Sequence, residues 1–338
     1  MAKRDIIVMG ASAGGLEVLK EILGHLPKEF SASIFIVWHM GPDVQGILPD
    51  IINNLHTIPA ANAIDHEPIL SNRIYVAPPD RHMVLEYNKI KVIQGQKESR
   101  FRPSVDTLFR SAAYAYGNRV IGMVLSGGLD DGAAGLRRIK LSAGVTIVQD
   151  PTDAEVSSMP ESAMQALEVD YCLPSSDLAP LLIDLISHEI EDDPALAGGR
   201  PAQMEMRIPE QLNALSRESP DSGVLSSFSC PACKRVLSRM ADGNMVRFQC
   251  SNGHAYSTSS LMLTTSEDVE KNMYNVLHGM DECIMLLNHI GDDHAENNRL
   301  KLAADYFNMA KDVLERTNLL HAAACEQQKL GQRIFKMG

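Results

Sequence analysis

The sequence predicts an α/β protein: a doubly wound, mostly parallel sheet with an inserted β-hairpin, followed by a small Cys/His ribbon and a C-terminal helical hairpin. Three observations predict it. Short β-rich runs at 6–9, 33–38, 73–77, 120–125 and 144–148 alternate with helical patterns at 15–26, 44–54, 104–117 and 132–142, as in a sheet covered on both faces. Three of the six cysteines cluster, at Cys230, Cys233 and Cys250. From Thr265 onward, apolar residues recur at spacings of three and four.

Within the alternating region, 82–87 and 89–94 joined at Asn88 read as a hairpin inserted into the sheet scheme. After His188 periodicity fades into Asp-Asp-Pro, Gly-Gly-Arg-Pro and Ser-Pro-Asp-Ser-Gly, a linker with a helical turn near 209–216. In the tail, Met273, Val276, Leu277, Met280, Cys283, Ile284 and Leu287 form one apolar stripe. Leu300, Ala304, Phe307, Ala310, Leu314 and Leu320 form another, and Gly291-Asp292-Asp293 marks the turn between them. On these stripes Cys283 and Cys325 read as small packed residues. The expected division is 1–192 for the α/β domain, 193–227 for the linker, 228–258 for the ribbon and 262–335 for the helical tail.

With 45% hydrophobic residues, the 338-residue chain can bury a sizeable core. A net charge of −12 gives no global attraction to nucleic acid or anionic lipid. No run approaches the ~20 apolar residues of a membrane span. The opening MAKRDIIVMGASAGG has an apolar run of four leading into a glycine loop, unlike an export signal. The expectation is a cytoplasmic protein, neither inserted in a membrane nor bound to nucleic acid.

In an open parallel sheet, ligands bind beyond the carboxyl ends of the strands. Gly10-Ala11-Ser12-Ala13-Gly14-Gly15 follows the first run, His39 follows the second, and Ser126-Gly127-Gly128-Leu129-Asp130-Asp131-Gly132 follows the fourth. A hydroxyl, an imidazole and a carboxylate thus reach one sheet edge, the parts of an activated nucleophile. Gly10-x-Ser12-x-Gly14 suits a serine on a tight strand-to-helix turn. The next helix offers unpaired N–H groups, that of Ala13 among them, to a developing oxyanion. A dinucleotide fingerprint would need glycine at Ser12, and a P-loop would need Lys-Ser/Thr after the second glycine. The order serine, histidine, aspartate differs from that of α/β-hydrolases. Each residue also has a commoner structural reading: a turn serine, a packed histidine, and a helix-capping aspartate. Spacing does not choose between Asp130 and Asp131.

Cys230-Pro-Ala-Cys233, sixteen residues, Cys250, three residues and His254 supply four ligands, the spacing of a structural tetrahedral zinc site without an open position. A fragment this short lacks a core of its own and needs such a staple. No cofactor is expected for catalysis.

The chain resembles the catalytic domain of the CheB-type chemotaxis protein-glutamate methylesterases. The likeness rests on Ile7-Val8-Met9-Gly10-Ala11-Ser12-Ala13-Gly14-Gly15, His39-Met40, Tyr75-Val76-Ala77-Pro78-Pro79-Asp80-Arg81-His82-Met83, Arg102-Pro103-Ser104-Val105-Asp106, the segment 126–135, and Gln149-Asp150-Pro151 leading to Met159-Pro160. It implies Ser12 as nucleophile, His39 as base, Asp131 rather than Asp130 as orienting acid, and the Gly128 N–H as an oxyanion donor. It implies hydrolysis of glutamate methyl esters on a chemoreceptor-like protein, with glutamine deamidation at such sites. Ala13 stands where the family often has threonine, Gly128 where it often has methionine, and Trp38 where a polar residue is usual. The first catalytic strand begins within a few residues of Met1, where the family commonly carries a phosphorylated receiver domain. The ribbon and tail are therefore expected to dock or regulate instead, through a regulatory protein. The competing reading is a non-catalytic receptor-binding adaptor on the same α/β domain.

Overall fold

The computed structural model describes residues 2–39, 46–191, 223–242 and 245–337. Most of the expected linker, with its helical turn at 209–216, lies outside the described residues. Met1–Leu261 forms one compact unit and Met262–Lys336 a second.

In the first unit, β1 (Ala2–Lys3) precedes β2 (Ile6–Ala11), α1 (Gly15–Gly24), β3 (Ser33–Trp38), α2 (Leu48–Asn53), β4 (Ala60–Asn62) and β5 (Arg73–Val76). The hairpin β6 (His82–Glu86) and β7 (Lys89–Ile93) follows, then α3 (Val105–Tyr116), β8 (Val120–Val124), α4 (Ala133–Leu141), β9 (Val145–Gln149), α5 (Ser158–Ala166), β10 (Tyr171–Leu173), α6 (Ser175–Ser187) and β11 (Glu189–Ile190). Seven strands form one sheet in the order β10-β9-β8-β2-β3-β5-β4, and every pairing within it is parallel. The chain runs outward from β2 through β3 to β5, then returns to β8 on the other side of β2. The strand order reverses at β2, where ligands bind in such sheets.

All six residues of β2 are buried because both faces are covered. Ile7, Met9 and Ala11 pack on one face with Leu19, Ile22 and Leu23 of α1 and Leu178 and Leu182 of α6. Ile6 and Val8 pack on the other with Leu108 and Phe109 of α3, Leu136 and Ile139 of α4, and Met83 and Leu85 of the hairpin. The antiparallel pair β1–β11 ties the two ends of this fold together.

A second sheet, also in the first unit, has the order β12 (Val224–Ser229), β13 (Val236–Asp242), β14 (Met245–Cys250) and β15 (Ala255–Ser257). Its small core holds Leu237, Phe248, Tyr256, Leu261 and the cysteines Cys230 and Cys250. Strand β12 begins at Val224, so the last residues assigned to the linker belong to the ribbon.

Helix α7 (Thr258–Glu296) follows β15 directly, and α8 (Leu300–Met337) is its hairpin partner. Gly291-Asp292-Asp293, expected to turn, is helical, and the chain reverses at residues 297–299 instead. Gly291 allows the two helices to approach: a Cβ there would lie 2.5 Å from the Phe307 ring. Burial on α8 meets the expected stripe at Ala310 but otherwise departs from it. Leu300 and Leu314 are exposed, and Ala303, Ala310, Thr317 and Ala324 are buried at the seven-residue interval of a coiled-coil seam. Gln327 Nε2 donates to Ser266 Oγ at 2.8 Å across this seam. Cys283, expected to pack, is exposed.

Candidate active site and metal cluster

Ser12 leaves β2 on a turn fixed by backbone hydrogen bonds. Its N–H donates to Ser126 O at 2.9 Å, and its carbonyl accepts from Gly15 N at 3.0 Å. The Trp38 indole also donates to the Ser12 carbonyl, at 3.0 Å, so this departure from the family pattern buttresses the serine turn. Gly14 takes φ 74°, a left-handed conformation that glycine adopts at no steric cost. Gly127 passes so close that a Cβ there would lie 2.8 Å from Ser12 Cβ.

His39 continues the register of β3, its N–H donating to Ala11 O at 3.0 Å. Its Nε2 lies 2.9 Å from Asp131 Oδ2. A carboxylate there can only accept, so Nε2 carries the proton and Nδ1 the lone pair. Nδ1 is buried and has no hydrogen-bond partner among the described residues. The ring of Phe101 lies flat against the imidazole, with centroids 3.7 Å apart and planes 5° apart.

Asp131 is fully buried, and the first turn of α3 holds it. Its carboxylate accepts from Ser104 Oγ at 2.9 Å, Val105 N at 2.8 Å and Asp106 N at 3.0 Å. The two backbone N–H groups are orphan donors of a helix N-terminus, where the dipole also favours an anion. Ser104 is itself the N-cap, accepting from Thr107 N. Asp130 points elsewhere and accepts from Ser257 Oγ at 2.8 Å. The geometry therefore pairs His39 with Asp131 and not with Asp130. Ser12 stands at the same sheet edge, and among the described residues no hydrogen bond joins its hydroxyl to His39. Neither the Ala13 nor the Gly128 N–H has an acceptor among the described residues. Leu129, next to Gly128, is held at φ 67°, a strained position for a branched residue.

Around this core lies a buried charge cluster that the spacing of the motifs does not reveal. Asp106 Oδ1 accepts from Gly132 N at 3.0 Å and Gly135 N at 2.7 Å, which caps α4. Burial and the neighbouring Asp131 raise the Asp106 pKa to about 7. Burial raises that of Asp130 to about 6 against the lowering hydrogen bond from Ser257. Burial alone would also raise Glu98, but Arg110 and Arg247 beside it hold its carboxyl far below the usual range. Burial lowers the pKa of His82, favouring the neutral ring whose Nδ1 accepts from Ser104 N at 3.3 Å. Phe101, Ser104 and Asp106 fall in or beside the Arg-Pro-Ser-Val-Asp segment quoted above, and the Ser104 N-cap with acid in the first turn was a legible signal. Glu98 and Arg247 are far apart in sequence and carried no such signal.

Cys230, Cys233, Cys250 and His254 place their donor atoms within 4.8 Å of one another, a set able to hold a metal ion. Cys233 and Cys250 Sγ are 3.7 Å apart, and His254 Nδ1 is 3.6 Å from Cys230 Sγ and 3.4 Å from Cys250 Sγ. Burial lowers the pKa of His254, favouring the neutral ring that coordination requires.

Comparison with known proteins gives one consistent result. The family model described as CheB methylesterase matches residues 7–182. A Leptospira interrogans protein named putative protein-glutamate methylesterase/protein-glutamine glutaminase is 40% identical over 188 residues, which are 55% of this chain and 97% of that protein. A Rhizobium johnstonii protein named protein-glutamate methylesterase/protein-glutamine glutaminase 2 is 35% identical over 178 residues, 52% of this chain and 48% of that protein. The crystal structure of the Thermotoga maritima CheB methylesterase catalytic domain aligns with a TM-score of 0.52 at 30% identity, covering 55% of this chain and all of that one.

Proposed function

The chain belongs to the CheB methylesterase family, and from that premise we propose that residues 1–192 hydrolyse glutamate methyl esters on a chemoreceptor-like protein through Ser12, His39 and Asp131. The observation that carries this reading is the buried His39–Asp131 pair at the sheet's switch point, its Nδ1 without a partner among the described residues at the edge where Ser12 emerges. Nδ1 takes the Ser12 proton as Oγ attacks the ester carbonyl, and Asp131 stabilises the imidazolium that forms. The N–H groups of Ala13 and Gly128 receive the oxyanion, each such donor contributing about 2.7–4 kcal/mol to barrier lowering. The imidazolium returns its proton to the departing methoxide, releasing methanol. Water deprotonated by His39 then hydrolyses the glutamyl ester of Ser12, leaving a carboxylate. Glutamine would react along the same path with ammonia as leaving group. The Ser12–His39 hydrogen bond forms on substrate binding, as catalytic contacts often do.

For the cluster at Cys230, Cys233, Cys250 and His254 we assign a structural zinc ion. Bonds of about 2.3 Å to sulfur and 2.0 Å to nitrogen would give tetrahedral edges of about 3.8 Å between sulfurs and 3.5 Å between sulfur and nitrogen, close to the three separations of 3.4–3.7 Å given above. With Cys230, Cys233, Cys250 and His254 as its four ligands such an ion would staple the ribbon and would leave no open position for ester chemistry. Cysteines free among the described residues suit a reducing compartment, and we place the reaction in the cytoplasm. No described helix is long and apolar enough to cross a membrane. The helical tail would bind a regulatory protein.

The test is methanol release from a receptor helix carrying glutamate methyl esters. Ser12→Ala is expected to lower the rate on the order of 10⁴-fold or more. Undiminished release would refute the assignment of Ser12.

A further inference from the structure

The ribbon is wired into the active site. Arg247 of β14 forms an ion pair with Glu98, and its second guanidinium nitrogen lies 3.5 Å from Asp106 Oδ2. The Ala255 carbonyl of β15 accepts from Ser99 N at 2.9 Å. Ser257, at the end of β15, donates to Asp130 at 2.8 Å while its Oγ and N–H exchange hydrogen bonds with Ser260 at the start of α7. These contacts come from one short hairpin, in which Arg247 pairs with Ser257 and Gln249 with Ala255. The tip of that hairpin carries Cys250 and His254, half of the Cys/His cluster. An ion in the cluster would therefore fix the strands that reach the α/β domain.

What the ribbon grips lies next to the reacting groups. Glu98 and Phe101 close a tight turn through reciprocal backbone hydrogen bonds of 3.1 and 2.9 Å. Its two central residues, Ser99 at φ 47° and Arg100 at φ 78°, are both left-handed and not glycine, a conformation that persists only when the surroundings impose it. The bond from Ser99 N to the ribbon and the pairing of Glu98 with Arg247 are such impositions. Phe101 ends the turn and stacks on His39. Glu98 also accepts from Thr107 Oγ1 at 2.9 Å and pairs with Arg110, both on α3, whose first turn holds Asp131.

We propose that Arg247 is a positioning residue of the esterase: through Glu98 and Asp106 the metal-loaded ribbon holds the Phe101 turn and the first turn of α3, and so sets His39 and Asp131 for reaction. The effect on rate rests on the esterase reading, whereas the mechanical coupling does not. The ribbon then supports the catalytic centre from outside it, and metal occupancy sets turnover without touching substrate.

The test uses the full chain with zinc bound, stripped by chelator, and reloaded, alongside Arg247→Met, Arg247→Lys and Ser257→Ala. Amide hydrogen exchange over residues 98–107 is read by mass spectrometry, and ester hydrolysis is resolved into kcat and KM. Stripping or Arg247→Met is expected to raise exchange at 98–107 about tenfold or more while β2 and β8 stay as in the wild type. The expected kcat loss is about tenfold to a hundredfold with KM within about twofold, because misplacement by an ångström costs that much. Arg247→Lys should recover part of the loss, Ser257→Ala should show a smaller change of the same kind, and zinc should restore the stripped wild type only. Unchanged exchange at 98–107 in both stripped and Arg247→Met protein overturns the proposal, as does an equal rise throughout the unit. A wild type no more active than Ser12→Ala would instead sink the esterase reading, and the exchange result would still decide the coupling.

Discussion

Asp131 is held by three donors from the start of α3 besides the imidazole. Asp131→Asn keeps the shape but offers an amide N–H to one of these donors or to His39, so the ring loses the tautomer it needs. The expected loss is about 10⁴-fold in kcat with little change in KM, measured by methanol release. The pH behaviour of its neighbours follows from their raised pKa values. Asp106 at about 7 and Asp130 at about 6 bind protons in the folded state that an unfolded chain releases near 3.9. Their contribution to stability is therefore full below about pH 4 and is lost as the pH rises through 6 to 7. Carboxyl carbon-13 shifts of the folded protein should show at least one of the two titrating above pH 5.5. Both carboxyls ionised at pH 5 would contradict this. At this scale the sequence was legible in the placement of residues at strand ends: Ser12 and His39 follow β2 and β3 directly, and Asp131 lies at the end of the loop after β8. It could not separate Asp130 from Asp131 by spacing, because the distinction arises from α3 and Ser257, both remote in sequence.

Helix α4 packs on α3 where Gly135 would, with a Cβ, approach Phe109 Cβ to 2.6 Å and the Asp106 backbone to about 3.0 Å. Neither contact is a mobile side-chain end, so the helices must part. Gly135→Ala gains about 1 kcal/mol of helix propensity and loses about 1–3 kcal/mol to overpacking. A net destabilisation and a lower Tm are expected, with reduced kcat because α3 carries the donors to Asp131. A Tm equal to or above that of the wild type would show that the α3–α4 contact yields freely. The same elements show what the pattern of residues conveyed. The core strands β2, β3, β8 and β9 are apolar runs long enough to read. The edge strands β4 and β10, of three residues each, offer no period to detect. Helix α6 carries Pro180 inside it, which reads as a breaker although the helix accommodates it. Apart from Ala310, the seam of α8 was misplaced because exposed leucines outweigh buried alanines in any hydrophobic count, while close approach of two helices favours the small residue.

The whole molecule joins a family fold to an additional sheet carrying the Cys/His cluster in one compact unit, with a helical hairpin as the second. Zinc content near one equivalent per chain is expected, and mutation of Cys250 to Ser should abolish it; less than a tenth of an equivalent in the wild type would count against the ribbon. The parallel sheet and its strand ends followed from the sequence because each local signal agreed with the global layout. The contacts between ribbon and α/β domain did not, since Glu98, Asp106 and Arg247 meet only after both sheets are built.

Reaction of the full chain with a fluorophosphonate, followed by peptide mapping, tests the central claim most directly. The structure predicts one phosphonyl group on Ser12, formed far more slowly when His39 or Asp131 is replaced. Label that is absent, that sits on another serine, or that forms at the same rate without His39 would contradict a serine activated by that imidazole.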